Sequence, residues 1–239
     1  MRSLWSAVGA PTARSILVVC AADGLVGFAF GAIAVGAGLP LWFPVLLSIV
    51  VFAGAAQFLL VGVIASGGSL IAAVAAGLLV NGRLLPLGIA VGDAVGRGWW
   101  RTLIGSHLMT DESAAFAIAQ PPGESRRAAF WLCNIALFLC WNVGVVAGGA
   151  VGTAIPDTDA LGLDAAFPAV ILALVLPTLR SARVGRAVAV GVGIALVTSP
   201  FLPAGVPVLL ALLGVLVGLP PRRRAIATEA ATSPAGSDR

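Results

Sequence analysis

The chain has 239 residues, of which 59% are hydrophobic and 10% charged, and its mean hydropathy is +1.06. A soluble domain is about 25% charged, so this sequence has too little polar surface to cover a globule in water. A bilayer, whose core demands apolar side chains and an internally satisfied backbone, fits it instead. All 14 basic residues are Arg. The sequence pI is near 10.2, yet the Arg residues sit at the ends of apolar segments, which is the positive-inside pattern and argues against nucleic acid as a partner.

A spanning helix needs about 20 mostly apolar residues. Candidate spans follow in order at about 15–36, 42–65, 68–92, 128–152, 164–179, 187–201 and 203–219. The fold class is therefore all-α, a polytopic transmembrane helical bundle of about seven spans. The first apolar run continues past Gly31 into Gly38, too long for the apolar region of a signal peptide, and is expected to be retained. The last three spans are short and read either as tilted spans or as half-helices that meet inside the protein. The segment 102–120 could span the membrane, dip into it or lie on it.

Arg placement sets the orientation. Three patches, at Arg97, Arg101, Arg126 and Arg127, at Arg180, Arg183 and Arg186, and at Arg222, Arg223 and Arg224, are put on the cytoplasmic side. The loop with Asp157 and Asp159 then falls outside. Seven spans also put the N-terminus, with Arg2 and Arg14, outside. An eighth span through 102–120 would bring it inside but strand Arg97 and Arg101, so seven are preferred. Residues 1–224 form the transmembrane domain, and the Ser/Ala/Thr-rich tail 225–239 is expected to be disordered and cytoplasmic.

"GLPLWFPVLLSIVVF" (38–52) and "GLDAAFPAVILALVL" (162–176) align without gaps. If they are the second and fifth spans, they run in opposite directions. The domain would then hold two inverted three-helix repeats, about 15–97 and about 126–201, an architecture that recurs in transporters. Chance similarity of two apolar segments with Pro in a first helical turn explains the match equally well.

Polar groups at membrane depth are costly and usually face a cavity or a partner. Gln57 lies near the middle of the second span, Asn81 and Arg83 in the third, Asn134 and Asn142 in the fourth, and Asp23 in the first. Gly82 and Pro86 flank Arg83. Pro86 removes a backbone bond near Gly82, so an irregular helix is expected there. A guanidinium can hold a carboxylate bidentately, and the alternative is an internal ion pair with Asp23 or Asp93. Gln57 and Asn81 could bind the polar end of a zwitterion, or serve as interhelical hydrogen bonds. Asn134 and Trp141, seven apart, share a helix face that lines a cavity or simply packs.

The segment "GSHLMTDESAAFAIAQ" (105–120) places His107, Asp111 and Glu112 in an apolar stretch. Thr110 is the expected N-cap of a helix beginning at Asp111, where early carboxylates suit the helix dipole. The functional alternative is proton carriage by Asp111, Glu112 or Asp23. His107 and Asp111 at i, i+4 are a weak metal pair with no second cluster. Cys20, Cys133 and Cys140 lie in apolar runs with neither disulfide nor zinc spacing. GxxxG pairs at Gly27/Gly31, Gly88/Gly92, Gly144/Gly148 and Gly214/Gly218 mark close helix contacts, within the chain or with a partner.

"LSIVVFAGAAQFLLVGVIASG" (47–67), "LLVNGRLLPLGIAVG" (78–92), "HLMTDESAAFA" (107–117) and "ALGLDAAFPAVILALVLPTL" (160–179) together resemble the AzlC family of branched-chain amino acid permeases. The resemblance implies a bacterial cytoplasmic-membrane exporter of valine, leucine or isoleucine, driven by the proton-motive force and working with a small hydrophobic AzlD-type membrane subunit. Read together with the polar groups at membrane depth, the candidates are Gln57, Asn81, Arg83, Asn134 and Asn142 at the substrate and Asp111, Glu112 and Asp23 in proton coupling, with membrane lipid as surroundings. No metal or other cofactor is expected. Two departures stand out: the family's Asn-Leu-Arg-His motif reads Asn81-Gly82-Arg83-Leu84, and Asp23 lies outside the family's pattern. The competing readings are a transporter of another small zwitterion, a non-transporting scaffold subunit, and an enzyme using His107, Asp111 and Glu112. The last lacks any nucleophile–base constellation, so the chain is not expected to be an enzyme.

Overall fold

The computed structural model describes residues 7–154, 181–202 and 206–218. Among them all regular structure is helical. Among the described residues three helices are long and apolar enough to cross a membrane: Ala10–Gly36, the run Leu70–Ala90, and Glu124–Ala154. The protein is a multi-pass all-α membrane bundle. The second repeat's segment 162–176, the candidate span 164–179, Asp157, Asp159, Arg180, Arg222 to Arg224, Arg2 and the tail 225–239 lie outside the described residues.

In chain order the helices are α1 (Ala10–Gly36), α2 (Trp42–Val50), α3 (Gly54–Ala65), α4 (Leu70–Asn81), α5 (Leu84–Ala90), α6 (Gly92–Val95), α7 (Trp99–Leu108), α8 (Asp111–Ile118), α9 (Glu124–Ala154), α10 (Ala182–Thr198), α11 (Val206–Ala211) and α12 (Val215–Gly218).

The spine is α1 against α9. Glycine makes it possible, because only a residue without Cβ lets two backbones touch. A Cβ on Gly27 would lie 2.7 Å from the Trp141 carbonyl oxygen. One on Gly31 would overlap the Val145 carbonyl, and one on Gly148 would overlap that of Phe28. The Gly27/Gly31 and Gly144/Gly148 motifs are therefore contacts within the chain. So is Gly214, set against Ala187 and Gly191 of α10. Gly88 meets the Met109 side chain, and Gly92 meets nothing.

The register fixes direction. Gly24 sits at Cys140, Gly31 at Val145 and Gly149, and Ala32 and Val35 at Gly152. Numbers rise together, so α1 and α9 are parallel. The start of α1, with Arg14, lies at the same end of the bundle as Arg126 and Arg127.

That result corrects the expected arrangement in which Arg14 sits opposite the first Arg patch. The reason is residues 42–65, which do not cross. α2 descends along α9, with Leu41 at Gly149, the Ser48 hydroxyl donating to Asn142 Oδ1 at 2.6 Å, and the Phe52 ring 5.2 Å from Phe138. The helix breaks at Val51–Ala53 and α3 climbs back: Gly54 faces Trp141, and the Phe58 ring lies 5.2 Å from Phe30. α4 then returns antiparallel to α3, with Gly77 against Ala56.

The segment 99–118 repeats the device from the other end. Its first turn is beside the start of α9, since Arg101 and Arg127 both reach Gly96. Its last residues return there, because Arg126 Nε donates to the Gln120 carbonyl at 3.2 Å. Between them α7 enters and α8 leaves, with a break at Met109–Thr110. This segment dips in and comes back. Two helical hairpins thus enter from opposite ends of the bundle and meet tip to tip.

Candidate functional site

The hairpin tips are held by side chains. Val51 and Ala53 leave helical geometry, which frees backbone groups from the helical ladder at membrane depth. Gln57 answers one: its Nε2 donates to the Val51 carbonyl at 2.6 Å, while its Oε1 accepts from Trp141 Nε1 at 3.1 Å. Gln57 is fully buried. The N-terminus of α3 has no side-chain cap, so its first N–H groups have no intrahelical acceptor.

The second tip is capped as expected. Thr110 Oγ1 accepts from the Ser113 N–H at 3.3 Å, and Ser113 Oγ accepts from the Thr110 N–H at 3.0 Å. His107 ties the two tips together, its Nε2 lying 2.8 Å from the Ile49 carbonyl. A carbonyl can only accept, so Nε2 carries the proton. That contact, and a helix broken between His107 and Asp111, remove the i, i+4 metal pair. Among the described residues no cluster of three metal-ligating side chains occurs.

A third break lies between α4 and α5, at Gly82–Arg83. Pro86 cannot donate to Gly82, and the Leu85 N–H takes that carbonyl instead at 3.2 Å, a tightened turn. Arg83 Nη2 lies 2.9 Å from Asp111 Oδ2. The alternative partners do not hold Arg83: Asp93 pairs with Arg126 at 3.4 Å, and Asp23 Oδ2 has no hydrogen-bond partner among the described residues.

All three breaks open onto one cavity of about 540 Å³, within the range of small-molecule sites. Its polar lining is Asn81, Arg83, Thr110, Asp111, Glu112 and Asp23. Its apolar wall includes Val26, Phe52, Phe58, Leu84, Leu137 and Trp141. A cation, two helix N-termini, three carboxylates and an aliphatic–aromatic wall therefore share one space at the middle of the bundle. Such discontinuous helices with inward N-termini are the recurring form of a transporter's substrate site.

Of the residues singled out from sequence, Asn81, Arg83, Asp23, Asp111 and Glu112 line the cavity. Gln57, Asn134 and Asn142 are not among its lining residues. Gln57 stands behind it, bracing Trp141. Asn142 accepts from Ser48 and donates to the Phe138 carbonyl at 2.8 Å, joining α2 to α9. Asn134 is fully buried, and neither amide atom finds a partner among the described residues. Sequence reading missed Phe52, Met109 and Thr110 as lining residues. Their signal is the non-helical turn at each tip, which an apolar run conceals.

A family model described as AzlC protein matches residues 18–155, more than half of the chain. An uncharacterized membrane protein of Helicobacter pylori strain ATCC 700392 / 26695 is 27% identical over 152 residues, covering 63% of this chain and 66% of that protein. A second, from strain J99 / ATCC 700824, is 25% identical over 175 residues, covering 72% of this chain and 76% of that one. No solved structure matches. The matched region contains both hairpins, the three breaks described above and all the described residues that line the cavity, and the chain belongs to the AzlC family.

Proposed function

We propose that this chain is the large subunit of a secondary exporter of branched-chain amino acids, powered by the proton-motive force and paired with a small hydrophobic AzlD-type subunit in a bacterial cytoplasmic membrane. Family membership supports membrane transport. The observation that carries the substrate class is the cavity. Arg83 and the uncapped N-terminus of α3 offer a place for a carboxylate. Asp23, Asp111 and Glu112 suit an ammonium group or a proton. The wall of Val26, Phe52, Leu84, Leu137 and Trp141 suits a short aliphatic side chain.

The positive-inside rule puts Arg101, Arg126 and Arg127 in the cytoplasm. On that reading the parallel packing of α1 and α9 supports a cytoplasmic N-terminus, with Arg14 obeying the rule.

The test is efflux of valine, leucine, isoleucine and methionine from preloaded vesicles, with this chain alone and with a co-encoded small subunit. Efflux that requires a pH gradient and both chains is expected. Robust efflux from this chain alone would remove the partner, and no efflux of any of the four would remove the substrate class. A second reading, a different small zwitterion, is favoured by Leu84, which lies on the cavity where the family's motif has His.

A further inference from the structure

Arg83 and Asp111 come from different breaks and meet inside the cavity. Their side chains remain 54% and 36% exposed, so a ligand in the cavity can reach both. Neither is needed by the backbone of its own break. Thr110 and Ser113 already cap α8, and Pro86 already sets the turn at Gly82. Asp111 Oδ1 is buried without a hydrogen-bond partner among the described residues, so there the pair satisfies only half of that carboxylate.

We propose that this ion pair is an internal stand-in for the substrate. An α-amino acid opens it, setting its carboxylate on Arg83 and its ammonium on Asp111. The inference rests on the reading of the cavity as a transport site and adds the polarity and the charge rule of that site. Opening the pair by itself would leave two uncompensated charges at membrane depth, which is expensive. A zwitterion replaces each partner with a group of the same sign, so every charge stays paired and the net charge of the site is unchanged.

A ligand carrying one charge cannot do this. The α-keto acid takes Arg83 but strands Asp111. The amine without a carboxylate takes Asp111 but strands Arg83. The first N–H groups of α3, which have no side-chain cap among the described residues and lie on the same cavity at Gly54 and Ala55, add to the carboxylate's end. Asp23 and Glu112 have no ion-pair partner among the described residues. They remain available for protons while Asp111 is engaged.

The experiment is equilibrium binding to the purified full chain in lipid nanodiscs, with leucine, its α-keto acid and 3-methylbutylamine as probes. The wild type is expected to prefer leucine by about tenfold over both singly charged analogues. Asp111→Asn releases Arg83 from its competitor, so the keto acid tightens about threefold to fivefold while leucine weakens. Arg83→Gln shifts preference toward the amine, and Arg83→Lys, which keeps the charge, preserves the ranking.

If Asp111→Asn and Arg83→Gln change all three ligands by one common factor, the pair is only a brace and the proposal falls. Trp141→Ala separates this from the parent reading. Loss of leucine binding in that variant, with the three-ligand ratio unmoved by the charge variants, leaves the cavity as the site and removes the stand-in. A folded wild type that binds none of the three, with the co-encoded small subunit present, overturns both.

Discussion

Gln57→Met tests whether the first hairpin tip is held as described. The substitution nearly conserves shape and removes two hydrogen bonds, to the Val51 carbonyl at 2.6 Å and from Trp141 Nε1 at 3.1 Å. Hydrogen bonds between membrane helices average about 0.6 kcal/mol, because the unfolded reference also finds partners. An orphaned buried group costs more, about 1–3 kcal/mol. The smaller figure governs the Val51 carbonyl, since it still accepts from the Ala53 N–H at 2.8 Å and is not orphaned. The Trp141 indole borders the cavity and can turn toward water, so the smaller figure governs there too. Together they come to about 1 kcal/mol, equivalent to a melting point lower by about 2–5 °C for a chain of this size. Thermal unfolding in detergent measures the loss, and Trp fluorescence reports whether the indole has moved. Gln57→Met melting no lower than wild type, with unchanged fluorescence, would refute the bracing role and return Gln57 to the candidate substrate contacts.

Gly148→Leu should abolish the α1–α9 seam, because even a Cβ overlaps the Phe28 carbonyl, whereas Gly92→Ala should be silent; yield of folded protein separates them. Asn134→Leu should be neutral or stabilising by about 1 kcal/mol, since it deletes an amide that is buried without partners. If that variant folds but loses transport, Asn134 acts on the substrate after all. His107→Ala should destabilise by about 1 kcal/mol through the freed Ile49 carbonyl, and a chelator should change neither stability nor flux. Single cysteines at Gly38 and Gly67, in a background free of the native thiols, should label from one side of the membrane, and those at Gly98 and Gly123 from the other. Opposite-side labelling of Gly38 and Gly67 would mean that 42–65 crosses.

The fold class, the long spans, the irregular helix at Arg83 and the Thr110 cap were all legible, because each rests on a local rule: apolar length, a proline's missing N–H, or a hydroxyl three residues from a free N–H. The Arg83–Asp111 pair was not, because residues 28 apart in sequence carry no local sign of meeting. Nor were the roles of Gln57 and Asn142. A buried amide in an apolar run reads the same whether it faces a ligand or a broken backbone, and only the carbonyl beside it decides.

Hydropathy also could not tell a crossing from a return. Twelve residues of α3 and nine of α2 sum to a span's worth of apolar sequence. The break between them, Val51-Phe52-Ala53, is itself apolar, and it carries neither Gly nor Pro. What permits it is a pair of donors, the Ala53 N–H and the amide at position 57 reaching back six residues, on the carbonyl that the break exposes. The Arg pattern did hold the missing information. Seven crossings stranded Arg14 on the wrong side, and removing the crossing at 42–65 restores it. A violated positive-inside rule at the N-terminus is therefore a signal that one apolar segment turns back. Here that segment is also one of the two that build the cavity.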